Sequence, residues 1–338
     1  MSVLPLLDRY ERPLRDLRIS VTDRCNFRCT YCMPAEIFNE RYEFLKRERI
    51  LTYEEIARVT RIVVRLGAVK LRLTGGEPLV RQDLDELVRQ LVAIDGAHDI
   101  AMTTNGVLLP KHAERLRDAG LQRVTVSLDS LDNAVFRHMN GGKADVDDVI
   151  KGIEAAERAQ LTPIKINCVV QRGVNDHTIV DLARWCKDKG YILRFIEYMD
   201  VGNMNGWRMD DVVGAREIVE RIDSVFPLER LPRSYSSETA LRFRYRDGSG
   251  EIGIIASVTM PFCGDCSRLR LSPEGSLYTC LFATQGTDIK TPIRNGASDD
   301  ELEAIIRNMW TARTDRYSEE RTEQTDKRPK IEMYYIGG

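Results

Sequence analysis

The sequence predicts an α/β fold: an incomplete, open βα barrel of about six strand–helix units with a smaller C-terminal domain. Short β-rich runs alternate with amphipathic helical patterns through the first two thirds of the chain. Repeated strand–helix units specify parallel strands joined by helical crossovers. Six units suit an open barrel better than a closed one of eight. The rhythm then changes after about Met199, where a boundary is expected.

The expected strands are Leu17–Val21, Val69–Thr74, Ile100–Thr104, Arg123–Leu128, Ile164–Val170 and Ile192–Glu197. The first helix, Thr52–Leu66, opens with a capping box, Thr52 and Glu55. Helical patterns follow over Arg81–Ile94, Pro110–Ala119, Val146–Ala159 and His177–Lys189. Pro110 suits a first turn, and Gly67, Gly120 and Gly190 suit helix stops. Beyond the boundary, Gly202–Arg246 reads as irregular. Strands are expected at Ile252–Ser257 and Arg268–Leu271, with a last helix at Asp299–Trp310. This divides the chain into residues 1–200, residues 201–310 and a charged tail, 311–338, ending in Gly337–Gly338.

Composition bounds the function. The 338 residues are 43% hydrophobic and 30% charged, enough for a full core, and the net charge is only -2. No basic excess argues for nucleic acid. No apolar run is long enough for a bilayer, and the start MSVLPLLDRYERP makes a poor signal peptide. A soluble cytoplasmic protein with neither nucleic acid nor membrane as partner is expected. In that compartment, eight cysteines read as metal ligands or packing residues rather than disulfides. Cys168, in an apolar run, and Cys186, in a helical stretch, read as packing residues.

The other six form two trios. Cys25, Cys29 and Cys32 lie in CNFRCTYC, directly after the first strand, where barrel folds build their sites. Cys263, Cys266 and Cys280 lie in CGDCSRLRLSPEGSLYTC. A closed zinc site wants four ligands. Three thiolates on a cubane iron–sulfur cluster leave one iron open to something else. After the second strand comes TGGEPL, Thr74 to Leu79: Gly75 and Gly76 allow close backbone approach, and Glu77 offers a carboxylate to an ammonium group. CNFRCTYC followed by TGGEP resembles the radical S-adenosylmethionine enzymes. That resemblance implies a 4Fe–4S cluster on the first trio. Its open iron would chelate S-adenosylmethionine, which one electron cleaves to a 5′-deoxyadenosyl radical.

Charged side chains alternate with apolar ones along the strands, and alternate residues face one side. Arg18, Lys70, Arg72, Lys165 and Arg194 therefore point into the barrel. Arg268 and Arg270 share one face of their strand beside the second trio. Such a cluster of buried cations demands anions, and a polyphosphate is the obvious one.

The whole pattern resembles the GTP 3′,8-cyclases, which open molybdenum cofactor biosynthesis. The resemblance spans the chain and implies a second 4Fe–4S cluster on Cys263, Cys266 and Cys280 that meets the guanine ring. It puts GTP on Arg18, Lys70, Arg72, Thr103, Lys165, Arg268 and Arg270. It puts S-adenosylmethionine on Tyr31, Gly76, Ser127, Arg194 and Met199. Catalytic roles fall to Arg18, Arg268, Arg270, Gly337 and Gly338, the tail entering the active site. The implied partners are GTP, S-adenosylmethionine, an electron donor and, downstream, cyclic pyranopterin monophosphate synthase, with a homodimer among the assemblies open to the chain. Two rivals stand beside this reading: a radical enzyme with an auxiliary cluster acting on a peptide, and a zinc-stabilised binding module.

Overall fold

The computed structural model describes residues 5–321 and 329–337. The first part of the chain runs β1 (Asp16–Ser20), α1 (Tyr53–Arg65), β2 (Lys70–Thr74), α2 (Leu84–Val92), β3 (Asp99–Thr104), α3 (Leu109–Asp118), β4 (Arg123–Ser127), α4 (Asn133–Met139), α5 (Val146–Arg158), β5 (Lys165–Val170), α6 (Ile179–Lys189) and β6 (Ile192–Glu197). All six expected strands are present. The Thr52 side chain accepts the Glu55 N–H, and the Glu55 carboxylate accepts the Thr52 N–H, closing the capping box at the start of α1. Helix α2 begins three residues later than its pattern suggested. Pro78–Val80 forms a short 3-10 turn, Arg81 is extended and Asp83 is left-handed (φ 52°), so helical geometry starts at Leu84.

The second part adds α7 (Ala215–Asp223), β7 (Leu228–Leu231), β8 (Leu241–Tyr245), β9 (Glu251–Ile255), β10 (Arg268–Leu271), β11 (Ser276–Tyr278), β12 (Thr287–Asp288), α8 (Lys290–Arg294), α9 (Asp299–Thr311), α10 (Tyr317–Glu320) and α11 (Met333–Ile336). The region expected to be irregular, 202–246, therefore holds one helix and two strands. Ile218 and Ile222 bury one face of α7, and Arg242 on β8 pairs with Glu251 on β9 at 2.7 Å. Short elements among Gly, Asn and Pro carry too few periods to stand out locally.

All strands join one sheet in the order β12-β11-β10-β1-β2-β3-β4-β5-β6-β9-β8-β7. Strands β10, β1 to β6 and β9 are mutually parallel, and the outer two at each end are antiparallel. The sheet is open, as six units implied, but the C-terminal region extends both of its edges. One face is oily: Leu17, Ile19, Leu71 and Leu73 are fully buried against the helices. Each such side chain contributes roughly 1.5–3 kcal/mol relative to exposure. Their in-between neighbours, Arg18 and Arg72, must then face the other way. Cys168 and Cys186 sit in the apolar core, as expected of packing residues. Among the described residues, no helix is long and apolar enough to cross a membrane.

Candidate active site

Register aligns the cations. Arg18 lies opposite Arg270 on β10 and Arg72 on β2, making a row of three guanidinium-bearing positions across adjacent strands. One pleat earlier, Asp16 lies between Arg268 and Lys70, and Asp99 follows on β3. Neighbours in parallel register share a face, so these rows line one cavity together with Thr103, Lys165 and Arg194. Cys263, Cys266 and Cys280 form part of the same wall. Every residue that the resemblance gave to GTP lies there.

The cations repel one another. Burial, then Arg270, Arg268 and Arg72, pull Arg18 well below its ordinary range. Burial and Arg194 bring Arg72 down to about 10, and burial and Arg268 bring Arg270 to about 9. Lys165 falls to about 7, through burial and then Arg194, Arg123 and Arg72. Asp16 and Asp99 offset only part of this charge, and Asp99 is already paired with Arg123. Such a wall favours a polyanion that satisfies several cations at once. Sequence reasoning missed Asp16, Asp99, Arg123 and Tyr235. Strand alternation was the available signal for the first three. Tyr235 comes from the β7–β8 loop, and its ring centroid lies 3.2 Å from Lys70 Nζ.

The first cysteine loop follows the C-terminal end of β1 and is tied to the loop after β3, where Asn105 Nδ2 donates to Asn26 Oδ1 at 2.7 Å. Glu77 does not offer its carboxylate outward. Its Oε1 accepts from Leu79 N–H (3.0 Å) and Thr104 Oγ1 (2.8 Å), and Oε2 accepts from Asn105 N–H (2.7 Å). Glu77 therefore ties the TGGEP turn to the β3 loop, and burial raises its pKa to about 7. Gly76 is needed for close approach, because a Cβ there would stand 2.3 Å from the Arg24 carbonyl oxygen. Tyr31 donates to Asp129 at 2.8 Å, and Asp129 also accepts the Val169 N–H at 2.9 Å. Asp129, which sequence reasoning also missed, thus joins the cysteine loop to β4 and β5. Ser127 ends β4 opposite Asn167 on β5. Arg194 and Met199 belong to the cavity wall, whereas Tyr31, Gly76 and Ser127 do not line it.

All eight cysteines are free thiols. Burial raises the thiols of Cys25 (to about 12), Cys29 and Cys32, and the neighbouring thiols add to the rise at Cys29 and Cys32. Three thiolates persist in such a place only with a cation among them, which a cluster of iron ions provides. In the second trio, burial raises Cys280 to about 12. Burial acts the same way on Cys266, but Arg268 and Arg313 overcome it and bring that thiol down to about 6. Arg268 Nε lies 3.4 Å from Cys266 Sγ.

The tail bridges the two cysteine sites. Tyr334 packs on Phe38 and shares a 2.7 Å hydrogen bond with Tyr42, beside Met33 and Cys32. At the other end, Arg270 donates to the Gly337 carbonyl. Just before it, Lys330 donates to Asp200, and Asn203 accepts the Lys330 N–H at 2.8 Å. Gly338 lies outside the described residues.

Two family models match the chain: the Radical SAM superfamily over residues 19–186, and Molybdenum Cofactor Synthesis C over residues 191–319. A GTP 3′,8-cyclase from Acidothermus cellulolyticus is 51% identical, with 99% of each chain covered. The chain belongs to the GTP 3′,8-cyclase family. A second GTP 3′,8-cyclase, from Xanthomonas campestris pv. campestris, is 48% identical over 100% of this chain and 99% of its own. Among solved structures, Streptococcus suis SuiB superposes with a TM-score of 0.61 at 14% identity, over 89% of this chain and 67% of that one. That likeness shares the fold alone. Membership in the GTP 3′,8-cyclase family, within the radical S-adenosylmethionine enzymes, carries with it a 4Fe–4S cluster and S-adenosylmethionine. The free, cation-demanding thiols of the first loop fit that cluster.

Proposed function

We propose that this chain cyclises GTP to (8S)-3′,8-cyclo-7,8-dihydroguanosine 5′-triphosphate, the first step of molybdenum cofactor biosynthesis. The in-register cations beside a cysteine trio, in a cavity ordered for a polyphosphate, carry the reading. The first trio would hold a 4Fe–4S cluster for radical generation, and the second would hold another 4Fe–4S cluster for binding guanine. Cluster and S-adenosylmethionine supply the radical chemistry when bound. The protein supplies position. Lys70, Arg72 and Lys165 with Thr103 hold the triphosphate, and Arg18, Arg268 and Arg270 orient the nucleoside so that its ribose faces the cofactor. Tyr31, Gly76, Ser127, Arg194 and Met199 hold S-adenosylmethionine, and Gly337 and Gly338 take a catalytic role. An external donor provides electrons, and cyclic pyranopterin monophosphate synthase takes the product. A division into residues 1–200, 201–310 and 311–338, a homodimer and a cytoplasmic setting belong to the same reading.

A peptide substrate has no need of so many cations, which speaks against that rival. The deciding experiment is anaerobic: reconstitute with iron and sulfide, add reductant, S-adenosylmethionine and one nucleotide, then quantify 5′-deoxyadenosine. Release with GTP, together with a cyclised product and no such response to ATP, is expected. Release indifferent to the nucleotide would overturn the substrate.

A further inference from the structure

The N-terminal segment before β1 folds into a tight loop around one carboxylate. Asp8 Oδ1 accepts the Tyr10 and Arg12 N–H groups, each at 2.9 Å, and Oδ2 accepts Arg12 Nε at 2.6 Å. The Asp8 side chain is fully buried, and the Arg12 side chain is 1% exposed. Arg12 then reaches across 251 and 303 residues of sequence: its Nη1 donates to the Cys263 carbonyl at 2.9 Å and to the Asp315 carbonyl at 2.7 Å. Arg313, equally buried, sits 3.5 Å from the same Asp8 oxygen and donates to the Cys266 carbonyl at 2.7 Å. The Arg12 main-chain carbonyl in turn accepts the Trp310 indole N–H at 3.3 Å.

Two buried guanidinium groups share the Asp8 carboxylate, and Arg313 Nε also lies 3.4 Å from Asp315 Oδ2. Arg12 Nη2 is buried with no hydrogen-bond partner among the described residues. Buried guanidinium groups are costly unless they are paired and their N–H groups are hydrogen-bonded. The main-chain carbonyls of two ligand-bearing residues, Cys263 and Cys266, each accept one such N–H. Gripping Cys263 and Cys266 by their main chains leaves both thiols free to face the cavity, where they stand with Cys280.

We infer that Arg12 and Arg313, joined through Asp8, are positioning residues that clasp the second cysteine loop and preorganise it for its metal group. The inference rests on the reading that this trio holds an iron–sulfur cluster. Neither Asp8 nor Arg12 lines the cavity, so both act through the loop. Groups that orient ligands in this way typically change metal affinity by roughly 10–100-fold when removed.

The test uses the full chain, with each cysteine trio replaced by alanine in turn so that either site is read alone. Asp8→Asn, nearly isosteric, and Arg12→Gln are introduced into both backgrounds. Cluster absorbance is then followed during transfer of iron to a chelator. Iron loss from Cys263, Cys266 and Cys280 is expected to quicken by roughly ten-fold or more, with the first site unchanged. Unchanged loss from the second site in both variants overturns the clasp. Equal losses at both sites overturn it too, because they mark general destabilisation. If the second trio takes up no iron even with Asp8 and Arg12 intact, the two-cluster reading fails and the inference falls with it.

Discussion

Arg270 stands where two demands meet. It belongs to the cation row with Arg18 and Arg72, and it also donates to the carbonyl of Gly337. Arg268 is similarly shared, between the cavity and the sulfur of Cys266. A charge-assisted hydrogen bond contributes about 1.5–3 kcal/mol. Arg268→Ala or Arg270→Ala is therefore expected to weaken GTP binding by roughly ten- to hundred-fold while the first cluster stays intact. Equilibrium binding beside iron analysis checks this, and unchanged affinity in both variants would count against the placement. Lys165 adds a pH dependence. Its ammonium loses its proton near pH 7 in the free protein, and a bound phosphate would hold that proton to higher pH. GTP binding above pH 7 is thus expected to take up a proton, and affinity to fall as pH rises. Calorimetry in buffers of different ionisation enthalpy reads the uptake directly. Lys165→Met should abolish it.

At the scale of the element, the tail is the informative piece. Helix α11 has only four residues, too few to be stable alone. Contacts with other segments hold it: Tyr334 on Phe38 and Tyr42, Tyr335 on Glu274, and the Asn203–Glu332 bonds just before it. Gly337 follows with φ 74°, and a Cβ there would lie 2.3 Å from Thr74 Cγ2. Thr74 is buried at the end of β2, so it has little room to yield. Gly337→Ala is expected to displace the chain end and lower turnover with GTP by about a hundred-fold. Release of 5′-deoxyadenosine without nucleotide should stay near the parent level. A variant with normal turnover would show that the docked end does not contribute to catalysis.

At the scale of the molecule, one sheet passes through both regions matched by the family models. Strand β10 completes the edge beside β1, and β9 completes the edge beside β6. Cooperative unfolding is therefore expected as a single transition. Tryptophan fluorescence reports on both regions, through Trp185 on α6 and Trp310 on α9. It should change together with far-ultraviolet circular dichroism, and two separated transitions would argue for independent units. The main apolar core runs along the sheet, and none of the six clustered cysteines is among its buried members. Stripping iron should thus remove colour and activity while most of the circular dichroism survives, unlike a zinc-dependent module.

The sequence by itself determined the chemistry and the central strands. Cysteine spacing, the TGGEP turn and strand alternation are local features, so Cys25, Cys29, Cys32, Arg18, Arg72 and Lys165 were legible without coordinates. Capping at Thr52 is equally local. Only the tertiary structure decided which distant strands flank β1 and β6, because a strand's partner leaves no mark on its own periodicity. For the same reason it alone revealed Asp129 beneath Tyr31, Tyr235 over Lys70, and the grip of Arg12 on a cysteine loop 251 residues away. It also turned Glu77 from a ligand-facing carboxylate into a tie between two loops. In each case a buried polar group took its partner from another part of the chain, and only folding brings those parts together.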